Sequence, residues 1–141
     1  MSATGEQVHP EGFTLLEVLT VIAILALIGG IMFPRVDRML ESVRFASARS
    51  MVSAAAWAAH AEAIRSNSTV VLQASPDGRG LLSNGRVAAE LPETVRITTA
   101  GEAARFYGDG SASAGSLRLA AGRNQAELVI SSPSGSTAWR R

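Results

Sequence analysis

A chain of 141 residues, 47% hydrophobic, with thirteen basic residues that are all Arg and twelve acidic ones, can hold one modest domain and an appendage, and it carries no bulk charge signal for nucleic acid. The absence of Cys excludes disulfide staples and thiolate metal sites, and the absence of Lys excludes Schiff-base chemistry and any P-loop. Without residues 1–12, which include Glu6 and Glu11, 13 basic residues face 10 acidic ones, a mildly basic +3.

The chain opens on "MSATGEQVHPEG", which has neither Arg nor Lys, and continues from Phe13 to Phe33 as "FTLLEVLTVIAILALIGGIMF". That run has the length of a bilayer-spanning helix, about 20 residues. Its strongly polar side chains are Thr14, Glu17 and Thr20. An ordinary secretory signal fits poorly, because the start is not basic and the apolar stretch exceeds roughly 7 to 15 residues. A plain uncleaved anchor fits the length but leaves Glu17 unexplained, since an ionised side chain at the centre of a membrane helix costs about 3 kcal/mol.

"G-FTLLEVLTVIAILALIGGIMFP", residues 12–34, closely resembles the type IV prepilin signal: a Gly, then Phe, then Glu at the fifth place after the cut, heading an apolar helix. The resemblance implies that a prepilin peptidase cuts between Gly12 and Phe13 on the cytoplasmic side, that Phe13 becomes an N-methylated terminus, and that the apolar segment is kept. It also puts Pro34 where many pilins have a helix-bending proline. The cut would leave a cationic amine four residues from Glu17, and positions i and i+4 share a helix face. The first turn also favours an anion. The carboxylate can meet its own chain's amine or a neighbour's, and the resemblance implies the neighbour, an ionic register between stacked helices. Arg35, Arg38 and Arg44 lie beyond the helix, so basic-residue bias alone would make the carboxyl side cytoplasmic. The prepilin signal implies the reverse.

From Arg35 to about residue 66 the sequence is rich in helix formers, above all Ala. Val43, Ala46, Ala54, Trp57, Ala61 and Ile64 recur at spacings near three or four and are expected to face a core, with polar Ser50 interrupting the register. After "SNS" the texture changes to short β-like runs broken by turns, with Asp77-Gly78, Asn84-Gly85 and Asp109-Gly110 as hairpin signals. Five to seven mostly antiparallel strands are expected, packing against the helix end. The fold expected is α+β and pilin-like: a long N-terminal helix, membrane-spanning in its first half, on a small antiparallel β-rich head. Its parts are leader 1–12, transmembrane and assembly half 13–34, amphipathic half 35–66 and periplasmic head 67–141.

"ARSMVSAAAWAAHAEAIRSNSTVVL", "ELPETVRIT", "ARFYGDGSASAGSLRL" and the late "SPSGSTAW" resemble the H-type minor pseudopilin of type II secretion and the similar FimT-type minor pilins. Gly108 stands where Pro is common in those families, and Ser136 replaces a frequent Arg. The resemblance implies a non-enzymatic subunit of a short periplasmic pseudopilus, taking part in protein export. Its implied partners are the prepilin peptidase, sibling major and minor pseudopilins, the inner-membrane assembly platform and membrane lipid. It is expected in the bacterial inner membrane as a single-pass protein with its C-terminal head in the periplasm. A FimT-type pilin subunit that contacts DNA through Arg123, Arg140 and Arg141 is the alternative. A membrane-tethered periplasmic enzyme or binding domain is a third.

Chemical sites find little support. His60 and Glu62 lie two apart on a helix, whereas paired helical ligands need spacing three or four. "GDGSASAG" lacks the Gly-Lys-Ser/Thr ending of a phosphate loop. Asp77 and Asp109 lack the converging oxygens of a calcium loop. No catalytic residue, cofactor or metal is expected.

Overall fold

A computed structural model describes residues 12–140, with the side chains of residues 31–35 outside the description. The expected leader, apart from Gly12, and the candidate DNA contact Arg141 therefore fall outside the described residues.

Helix α1 runs Leu15–Ser66. It starts where Thr14 can cap it: the Thr14 hydroxyl accepts the Glu17 N–H at 3.2 Å, and the Thr14 carbonyl accepts the Val18 N–H. It ends at Asn67, which takes a left-handed backbone with φ 47°. There the Ser68 N–H reaches the Ala63 carbonyl and the Asn67 N–H the Ile64 carbonyl, which satisfies the last turn. A side chain at position 108 would stand 2.6–2.8 Å from Asn67 atoms, so glycine there lets the chain pass close to this helix end.

The chain divides into two compact units between Arg38 and Met39. In the first, every large apolar side chain described from Phe13 to Ile28 is exposed, between 44% and 82%. Among the described residues no helix is long and apolar enough to cross a membrane. The apolar stretch whose side chains are described ends at Gly30, short of Ile31 to Phe33.

The second unit holds the core. Strands β1 (Val70–Ala74), β2 (Gly80–Ser83), β3 (Arg86–Glu90) and β5 (Ala104–Phe106) form an antiparallel sheet in the order β3-β2-β1-β5. Strands β4 (Arg96–Thr99), β6 (Gly115–Ala121), β7 (Asn124–Ile130) and β8 (Thr137–Arg140) form another in the order β4-β6-β7-β8. Alternation along the strands points Leu117, Leu119 and Ala121, then Ala126, Leu128 and Ile130, into one core with Phe106, Leu72 and Leu81. Eight strands exceed the five to seven expected from sequence. The "TAWR" run, beyond the strand-like runs picked out from sequence, is the edge strand β8.

The helix face turned to this core is Phe45, Ala48, Val52, Ala55, Ala56, Ala59 and Ala63. The face expected from sequence, Val43, Ala46, Ala54, Trp57, Ala61 and Ile64, is exposed, with Trp57 at 69%. Both faces are rich in Ala, so hydropathy offers no contrast, and the two large side chains Trp57 and Ile64 drew the expectation to the wrong one. Packing chose the stripe of small residues, because methyl groups let two sheets approach the helix closely.

Candidate functional site

At the amino-terminal end Gly12 and Phe13 are exposed and precede α1, and Glu17 sits exposed in its first turn. The helix begins two residues after Phe13, so the i to i+4 helical spacing does not place Phe13 on the face of Glu17. Thr14 and Glu17 also read as T-x-x-E, the signature of a helix N-terminus, and the hydrogen bond from Glu17 N–H to Thr14 Oγ1 is one half of that capping box. This signal is visible in the sequence and assigns Thr14 a role that sequence reasoning missed. Pro34 lies within α1, among the residues whose side chains are outside the description.

At the carboxyl-terminal end the chain builds a cationic groove. Arg123 is the tip of the two-residue turn between β6 and β7, where Ala121 pairs with Asn124 and Gly122 supplies a positive φ of 54°. Arg140 ends β8 opposite Glu127 of β7, and its neighbour Trp139 alternates to the inner side opposite Leu128. There the Trp139 indole N–H donates to Ser53 Oγ of α1 at 3.0 Å, and the Arg49 guanidinium lies 4.7 Å over its ring. Phe45, Arg49, Arg123, Asn124, Gln125, Ala126, Trp139 and Arg140 thus line one groove of about 490 Å³. Sequence reasoning paired Arg123 and Arg140 only loosely. The fold brings them together and adds Arg49, which it missed; its signal was the helical spacing of Phe45, Arg49 and Ser53.

The other singled-out residues have packing or turn roles. The His60 ring stacks on Phe106 with centroids 5.1 Å apart, and its Nε2 lies 2.8 Å from the Gly110 carbonyl. Gly135 passes so close that a side chain there would meet the imidazole at 2.8 Å. His60 is therefore a packed clamp between the helix and two loops. Asp77 accepts from Ser75 Oγ and the Arg79 N–H, and Asp109 from the Ser111 hydroxyl and N–H. These donors, side-chain hydroxyl first, hold both carboxyls below the usual Asp range. Among the described residues no group of three or more His, Cys, Asp or Glu is arranged to hold a metal.

Comparison with known proteins gives these features a context. The prokaryotic N-terminal methylation motif matches residues 10–33, which include Gly12, Phe13 and Glu17. The family described as type II transport protein GspH matches residues 47–135. No curated protein matches the chain. The type IV minor pilin FimU of Pseudomonas aeruginosa, in a crystal structure of space group P65, is similar with 22% identity and a TM-score of 0.50, covering 67% of this chain and 91% of that one. A second crystal form of FimU gives 21% identity and a TM-score of 0.46 over 69% and 92% of the two chains. The long N-terminal helix packed on antiparallel sheets is thus the pilin fold, the α+β class expected from sequence. Since the GspH match over residues 47–135 covers more than half of the 141 residues, the protein belongs to the GspH family of type II transport proteins.

Proposed function

We propose that the chain is a minor pseudopilin, a structural and non-enzymatic subunit of the type II secretion pseudopilus. The observation that carries this reading is the succession, on one chain, of a methylation motif over 10–33 and a GspH match over 47–135. A prepilin peptidase removes residues 1–12 and Phe13 is methylated. The apolar half, residues 13–34, anchors the chain in the inner membrane by a single pass, bends at Pro34, and packs with the helices of sibling major and minor pseudopilins on the assembly platform. The head lies in the periplasm. Glu17 offsets the cost of its burial by meeting the terminal amine of a neighbouring subunit. In support, its first-turn position complements the helix dipole and leaves the carboxylate exposed and free to reach outward.

The test is crosslinking to a sibling pseudopilin in membranes for wild type, Glu17→Ala and Glu17→Asp. Glu17→Ala is expected to be cut before Phe13 and to lose the crosslink, and Glu17→Asp to restore part of it, since charge is kept at shorter reach. Removing the charge eases membrane residence by about 3 kcal/mol, so failed insertion does not explain a lost crosslink. Normal crosslinking of processed Glu17→Ala would overturn the intersubunit pair.

The second reading left open by the sequence is a FimT-type minor pilin of a type IV pilus that contacts DNA through Arg123, Arg140 and Arg141. Duplex binding that falls steeply with salt and is lost in Arg140→Ala with Arg141→Ala would support it.

A further inference from the structure

The groove between α1 and the β6–β7 turn is built differently from a track for a polyanion. Arg49 is held with its guanidinium over the Trp139 ring, and Trp139 is itself pinned to Ser53, so the position of the guanidinium is supported before any ligand arrives. Arg123 and Arg140 approach from the sheet, and the side-chain amides of Asn124 and Gln125 add donors. The cationic patch is short. Glu41 lies against Gly122, where any side chain would run into its carboxylate. A duplex carries a charge about every 1.7 Å of axis and would bring phosphates towards the Glu41 carboxylate beside the turn. A single side-chain carboxylate needs only the recess, and a fixed guanidinium fork matches it bidentately.

We infer that this groove is a docking site for an acidic segment of another protein subunit, with Arg49 and Arg123 receiving its carboxylates and Trp139 acting as the positioning residue for Arg49. The inference rests on the reading of the chain as an assembly subunit and names the chemistry of one contact. The charge complementarity is that between the Arg49 and Arg123 guanidinium groups and Glu or Asp side chains, and Glu41 beside the β6–β7 turn disfavours longer polyanions.

The full chain in neutral detergent is titrated with labelled hexaglutamate, hexaglutamine and a short duplex DNA, followed by fluorescence anisotropy. Hexaglutamate is expected to bind and hexaglutamine not. Arg49→Gln with Arg123→Gln should weaken hexaglutamate by about tenfold or more. Independently of any variant, the peptide should shift the indole N–H resonance of Trp139 and leave that of Trp57 in place. Equal binding of the two peptides, or a shift at Trp57 without one at Trp139, would overturn the site. Duplex bound more tightly than hexaglutamate would overturn the carboxylate assignment in favour of nucleic acid. Cleavage before Phe13 is read separately by mass, so a failure of the groove is distinguished from a failure of the pseudopilin reading.

Discussion

The stretch from Leu15 to Ile28 and the stretch from Phe45 to Ala63 lie on the same helix, yet they meet opposite fates. The first is largely apolar, with Glu17 and Thr20 as its polar side chains, and every large apolar side chain described is exposed; the second has one mostly Ala stripe buried in the core of its own domain. A helix that is apolar on all sides needs lipid or other helices to cover it, whereas a one-sided stripe is satisfied by its own domain. The first half of α1 is thus written for partners and the second for folding.

That contrast has a largest expected consequence. Phe106, fully buried beneath the His60 ring, should cost about 3–5 kcal/mol when changed to Ala, while Leu25→Ala at a 61% exposed position should change the unfolding free energy of the head by no more than about 0.5 kcal/mol. Denaturation of the full chain in neutral detergent, followed by Trp fluorescence, measures both. Equal losses would break the contrast. A finer cut compares the two faces of one segment: Ala56→Leu, on the buried stripe, should overpack the sheets at about 1–3 kcal/mol, and Ala61→Leu, on the exposed face, should be near neutral. The reverse order would restore the face expected from sequence.

The start of the helix offers a smaller effect. Thr14→Ala removes the acceptor of the Glu17 N–H and should fray the first turn by about 1 kcal/mol, read by amide exchange at Leu16 and Glu17, with the head unchanged. The smallest effect is the pH response of the turns in the head. Asp77 and Asp109 have lowered pKa values, so the stability they contribute is present above the ordinary Asp range and is lost as pH falls below about 4. Both are exposed, and Asp77→Asn with Asp109→Asn should flatten the acid limb of head stability slightly, leaving neutral pH behaviour nearly as it was.

What was legible in the sequence follows from how locally it is encoded. The apolar run, the Gly12-Phe13 junction and the Asn84-Gly85 turn are written in adjacent residues, and the turn is found with both residues at positive φ between β2 and β3. The α+β class followed from a change in periodicity near residue 66. The buried helix face was not legible, because choosing between two Ala-rich stripes depends on which one fits the sheets. The groove was half legible: Arg123 and Arg140 stood out as charges, but Arg49 joins them from the distant helix only through the inward alternation of Trp139.

The central claim, a prepilin-processed assembly subunit, is tested most directly by intact-mass measurement of the membrane-extracted chain produced with its prepilin peptidase. A chain beginning at Phe13 with one added methyl group is the expected result. A mature protein that retains residues 1–12 in the presence of that peptidase would contradict it.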